Sequence, residues 1–139
     1  MTVKPEIVRR KLLAIESAVG HLRSWMPVQR ATLEDDQRLR WAIERGLQVA
    51  AEAVFDAGAH ILAAEFQETV DEYGQIPVRL RARGVLTDST VERLKGLAGF
   101  RNVLVHDYAT IDLDRLVGGL DRLGDLEAFV TDVERWLGR

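Results

Sequence analysis

The sequence predicts an all-α protein, folded as an antiparallel bundle of four to five helices. Three observations carry this expectation. Apolar residues recur at steps of three or four through most of the chain. Period-two alternation, the mark of a half-buried strand, is missing. Capping and breaking residues, among them Pro27, Thr32, Gly84 and Thr87, separate the periodic stretches.

The first helix is expected from about Glu6 to Trp25. Ile7, Lys11, Ala14, Ala18, Leu22 and Trp25 make its stripe, with Val8, Leu12, Ile15 and Val19 beside it. Pro27 stops it. Thr32 can cap the second helix, with Asp35 and Asp36 complementing the positive end of its dipole. That helix is long, and Leu39, Ile43, Leu47, Ala50, Val54, Ala57, Ile61 and Ala64 form one stripe. Trp41, Ala51, Phe55 and Leu62 add apolar surface on other sides. Such a helix needs cover on more than one face, from a central place in a bundle or from a dimer partner.

Tyr73 to Pro77 reads as punctuation. Val78 to Arg83 follows as a short helix ended by Gly84. Thr87 or Asp88 can cap a fourth helix holding Val91, Leu94, Leu97, Ala98, Leu104 and Val105. Ala109 to Asp112 is a link. The last helix spans about Leu113 to Leu137, interrupted at Gly118-Gly119 and bent there. There is no internal repeat or low-complexity tract, so residues 1–139 are expected to form a single domain.

Composition narrows the function classes. The apolar fraction is 47%, enough for a packed core. The absence of cysteine excludes disulfide frameworks, thiolate zinc sites and cysteine nucleophiles. A charged, proline-bearing start, Met1 to Glu6, does not read as a signal peptide. No run approaches the roughly 18 apolar residues of a membrane span. A cytoplasmic protein without membrane association is expected. The net charge of −3 argues against broad, non-specific grip on nucleic acid. A local basic stretch stands out nonetheless. From Arg79 to Val105, Arg79, Arg81, Arg83, Arg93, Lys95 and Arg101 face only Asp88 and Glu92, an excess of four positive charges. By itself such a cluster reads first as a solvated helix face. It gains interest by running into the one segment that looks chemical.

That segment is Arg101, four residues, His106, one residue, then Tyr108. A guanidinium stays charged and forks onto phosphate oxygens. An imidazole titrates near neutral pH and can move a proton. RNA supplies its own nucleophile, the 2′-hydroxyl, so an Arg and a His suffice for transesterification without metal or cofactor. The spacing alone is weak evidence. The ordinary alternative is an arginine paired with an acid, a histidine at a helix end and a tyrosine on the core. On a continuous helix Arg101 and His106 point about 140° apart, whereas Asn102 and His106 share a face. Either the helix ends near Val105 and the chain bends, or two copies assemble the site across a two-fold axis.

The stretch Gly99-Phe100-Arg101-Asn102-Val103-Leu104-Val105-His106-Asp107-Tyr108 resembles the signature of the HepT-like family within the HEPN superfamily of ribonucleases. Leu47 to Ala53 is similar to that family's central helix, and Gly84 to Leu86 with Leu94 to Leu97 to its approach to the motif. The resemblance covers most of the chain. It implies a HEPN-like homodimeric bundle with two motifs facing one cleft. It implies the toxin of a type VII-like toxin–antitoxin system, an endoribonuclease paired with an MntA-like nucleotidyltransferase antitoxin. Arg101 and His106 would then be the catalytic pair, Asn102 a supporting residue and Tyr108 the acceptor of AMP. Each AMP adds roughly one negative charge and a bulky base beside Arg101, which would repel and exclude RNA. Arg79, Arg81, Arg83, Arg93 and Lys95 are candidate RNA contacts.

The remaining polar and aromatic residues have plainer readings. His21 and His60 lack ligand partners at metal spacing, and no metal site is expected. Asp35, Asp36, Glu65, Glu68, Asp71 and Glu72 read as helix-end charge. Trp25, Trp41 and Trp136 read as core or dimer packing. Gly118-Gly119 lacks the fingerprint of a phosphate loop. Two other function classes stay open: a non-catalytic nucleotide- or substrate-binding partner subunit of a nucleotidyltransferase, and a helical dimerisation module without chemistry.

Overall fold

In the computed structural model, which describes residues 1–106 and 111–139, the described chain is helical without strand. Eight helical segments occur among the described residues: α1 Pro5–Ser24, α2 Arg30–Asp35, α3 Gln37–Phe66, α4 Gln75–Ala82, α5 Asp88–Arg93, α6 Leu97–His106, α7 Leu113–Leu120 and α8 Leu123–Leu137. The all-α bundle expected from the sequence is what forms. The larger number of segments comes from breaks inside the expected helices.

Helix α1 starts with Pro5, whose fixed φ and missing N–H suit a first helical position. It buries Val8, Leu12, Ile15, Val19 and Leu22. The core stripe is therefore the one expected to lie beside the main stripe, and Trp25 remains 39% exposed. A stripe anchored on Lys11 would have pulled an ammonium into the core. Lys11 instead reaches Asp56 on α3, with Nζ to Oδ2 at 2.8 Å.

The expected second helix is two. Thr32 lies inside α2 and does not cap α3. Asp36 is the cap: its backbone is extended (φ −124°, ψ 91°), and its carboxylate accepts the Leu39 N–H at 3.0 Å. Helix α3 packs against α1, α2, α4, α6, α7 and α8, so a central place in the bundle covers its several apolar faces. Its length and composition meet the criteria for a membrane span, contrary to the expectation that no run would, but half of that window is buried inside the protein. Trp41 is not core: it stands 60% exposed on α3, whereas Trp136 is buried beside Phe66.

Direction follows from the contacts. Arg9 pairs with Glu134 and Arg23 with Glu127, so α1 and α8 run antiparallel. Lys11 meets Asp56, and a Cβ on Gly46 would meet Leu22, so α1 and α3 are antiparallel too. These surface ion pairs set register and contribute little stability. The burial of Leu12, Ile15, Ile43, Ile61 and Phe129 in one core carries the fold.

The C-terminal half breaks where backbone geometry requires it. Gly84, at φ +77°, closes α4 as expected. Thr87 caps α5, its hydroxyl accepting the Thr90 N–H at 3.2 Å. The expected fourth helix is cut by Gly96, at φ +86°, a conformation that favours glycine. The last helix breaks at Asp121 and Arg122, while Gly118 and Gly119 stay inside α7. Gly119 is small for a packing reason. A Cβ there would lie 2.9 Å from the Phe100 ring and 3.2 Å from Leu47.

Candidate functional site

The segment leading to the motif is anchored from the far end of the chain. Asp132 on α8 is buried, and its Oδ2 accepts the Thr87 N–H at 2.9 Å and the Thr87 hydroxyl at 3.1 Å. Arg135 lies 3.2 Å from its Oδ1. Burial by itself would push the Asp132 carboxyl up. The donors from Thr87 and Thr90, with the Arg135 charge, outweigh burial and hold it below the usual aspartate range. This network fixes the start of α5, and the Gly96 turn then sets the entry to α6.

Helix α6 runs without a break through His106, the last residue described before residue 111. Arg101 and His106 are thus both helical, and they diverge by about 140° around the axis. The chain does not leave the helix before His106. His106 is exposed in the last described turn of α6. Tyr108 lies outside the described residues.

Arg101 is the better-defined of the two. Its side chain is 19% exposed, and Nη2 lies 3.6 Å from Glu52 Oε1 on α3. Nη1 donates to Asn102 Oδ1 at 3.3 Å. Asn102 therefore supports Arg101, where the helical face had put it beside His106. The guanidinium sits over the ring of Tyr73, 4.9 Å from its centroid. Tyr73 in turn stacks on Phe55, with centroids 5.0 Å apart and rings 5° from parallel. Nε is buried and finds no hydrogen-bond partner among the described residues.

Glu52 is itself shared, because Gln48 Nε2 donates to the same Oε1 at 3.0 Å. Arg101 is consequently oriented by several moderate contacts rather than neutralised by one short ion pair. Such a guanidinium can take phosphate oxygens without first breaking a strong partner. Neither Glu52 nor Tyr73 stood out in the sequence as part of the site. The similarity of Leu47 to Ala53 to a family helix was the one pointer to the Glu52 segment.

The candidate basic contacts are placed differently from a free cationic strip. Arg79 and Arg83 both pair with Glu68, at 3.3 and 2.9 Å. Arg83 also lies over Phe66. Arg81 faces Asp88 at 3.7 Å, Arg93 faces Asp125 at 3.2 Å and Lys95 faces Glu92 at 2.8 Å. The local excess of charge along the chain is thus offset by Glu68 and Asp125 arriving from elsewhere. The other acids have structural tasks as well: Glu65 accepts the Thr2 and Val3 N–H groups, and Asp36 caps α3. Among the described residues no group of three or more His, Asp or Glu side chains gathers as a metal site.

The family model described as "Ribonuclease HepT-like" matches residues 15–133. No curated protein matches the sequence. Among solved structures, the fold is similar to a tri-AMPylated Shewanella oneidensis HEPN toxin in complex with MNT antitoxin. That match has 22% identity, 95% of this chain and 99% of that chain covered, and a TM-score of 0.83. It is also similar to a cytosolic protein of unknown function from Bacillus subtilis, at 18% identity, 98% and 92% coverage and a TM-score of 0.83. A toxin–antitoxin structure with AMP-PNP matches at 22% identity, 94% and 99% coverage and a TM-score of 0.81.

Proposed function

Because the chain belongs to the HepT-like ribonuclease family, we propose that it is an endoribonuclease and the toxin of a toxin–antitoxin pair, with Arg101 and His106 as its catalytic residues. The observation that carries this reading is Arg101 itself. Its guanidinium is mostly buried, oriented by Glu52, Asn102 and Tyr73, and only loosely neutralised.

The chemistry is transesterification. The RNA 2′-oxygen attacks the adjacent phosphorus and the bond from phosphorus to the 5′-oxygen breaks. The products are a 2′,3′-cyclic phosphate and a 5′-hydroxyl. Arg101 stabilises the charge building on the phosphoryl oxygens. His106 moves the proton, taken from the 2′-hydroxyl or given to the leaving 5′-oxygen. One copy of α6 directs these two side chains apart, and a two-fold homodimer answers this by pairing motifs from two chains. Tyr108 is the proposed AMP acceptor, and an MntA-like nucleotidyltransferase is the proposed partner. Both proposals follow the family and the AMPylated toxin that this fold resembles.

The test is cleavage of total RNA in the presence of EDTA by wild type, Arg101→Ala and His106→Ala. Wild type should leave 2′,3′-cyclic ends, and each variant should lose about 10²-fold or more in rate. Equal cleavage by all three would remove the mechanism. The pairing of Arg79, Arg81, Arg83, Arg93 and Lys95 with acids weakens the expectation that they form one extended RNA-binding strip. The alternative reading is a non-catalytic subunit that docks nucleotides for a nucleotidyltransferase. Expression without the antitoxin separates the two, since only the toxin arrests growth by itself.

A further inference from the structure

A groove of about 310 Å³ lies where the Gly96 turn meets α7 and α8. Its floor is apolar and includes Leu47 and Phe100, the residue immediately before Arg101. Its rim carries four cations, Arg93, Lys95, Arg115 and Arg122, against a single lining acid, Asp125. That carboxylate is shared between two arginines, Arg93 at 3.2 Å and Arg122 at 2.7 Å. Lys95 holds only the exposed Glu92. Among the described residues no carboxylate lies within ion-pair distance of Arg115, whose guanidinium sits 5.8 Å from the Phe100 centroid.

The floor is kept open by backbone chemistry. A Cβ on Gly118 would meet nothing within 4 Å, and Gly119 lets α7 close onto Phe100. A cation-rich rim over an apolar, aromatic floor suits a ligand with a flat apolar body and an attached anion. A nucleotide is such a ligand.

Resting on the ribonuclease reading, we infer that this groove is a subsite for one nucleotide of single-stranded RNA, on the helix α6 that also carries Arg101. The base enters against Phe100 and Leu47, and its phosphate meets Arg115 and the Arg93–Arg122 pair. A duplex keeps its bases stacked and cannot fill the groove, so the site selects unpaired substrate. It also gives a use to Arg93 that its ion pair alone does not.

The test uses full-length His106→Ala protein, which leaves RNA intact, and a fluorescein-labelled oligouridine about 12 nucleotides long. Anisotropy titrations compare this parent with added Arg115→Glu, added Gly118→Leu and added Arg10→Glu. Gly118→Leu fills the groove without changing charge and favours the helix. Arg10→Glu makes the same charge change on α1. Each groove variant should weaken binding about tenfold, and Arg10→Glu much less. The salt slope should fall by about 0.7 for each phosphate that Arg115→Glu no longer neutralises. Unchanged binding by both groove variants overturns the subsite. So does equal weakening by Arg10→Glu, or a parent that binds the oligouridine no better than an acidic peptide. Failure of wild type to cut RNA while groove-dependent binding persists overturns the catalytic reading instead.

Discussion

The Arg101 guanidinium is held over the ring of Tyr73, 4.9 Å from its centroid, across a gap of sequence no local motif spans. Tyr73 is fixed by its stack on buried Phe55. The ring, not the hydroxyl, makes both contacts. Tyr73→Phe should keep RNA cleavage within about twofold, and Tyr73→Ala should lower kcat/KM about tenfold. Single-turnover cleavage measures this, with thermal melting as the folding control. Equal loss in both variants would assign the role to the hydroxyl instead.

Arg101→Lys keeps the charge and discards the planar fork. Lysine cannot lie flat on Tyr73 while reaching Glu52 and Asn102. Cleavage should fall by about 10²-fold, with little change in melting temperature. A rate near wild type would show that point charge suffices.

Gly58 lets α3 pack tightly against α4. A Cβ there would sit 2.5 Å from Ile76 Cγ2 and 3.1 Å from Leu80 Cδ1, both in the core. Alanine gains about 1 kcal/mol of helix propensity. Overpacking costs about 1–3 kcal/mol. Gly58→Ala should therefore lower the melting temperature, by several degrees at most. An unchanged or higher value would mean that α4 gives way freely.

Asp132 makes stability pH-dependent. Its folded carboxyl is held below the ordinary range, so the unfolded chain binds that proton more readily. The stability it contributes is present above the unfolded aspartate value, about 3.9. It is lost as pH falls through the lower folded value. Asp132→Asn should cost about 1–3 kcal/mol at neutral pH, with the deficit shrinking in acid. Urea unfolding at neutral and strongly acid pH reads this directly, and parallel profiles would assign the acid loss elsewhere.

The periodic parts of the fold were legible because burial writes itself as spacing. Val8 to Leu22 and Ile43 to Leu62 are buried at helical steps. The breaks were not. Gly96 and Gly99 read alike along the chain, yet only Gly96 takes a left-handed backbone. Asp36, rather than Thr32, begins the long helix because the extended backbone there turns its carboxylate toward the Leu39 N–H. At the site, Arg101, Asn102 and His106 share one short segment and one spacing. Glu52 and Tyr73 reach Arg101 only through packing of α3 and of the turn before α4, which no local spacing records.

Glu52 Oε1 serves both Gln48 and Arg101, and it meets the guanidinium only at 3.6 Å. A tighter pairing was chemically available to a carboxylate so close. Under the proposed ribonuclease role, the loose pairing trades robustness of the resting protein for readiness to exchange partners. Selection for thermostability alone would then draw these two side chains together, and the proposed activity would slow.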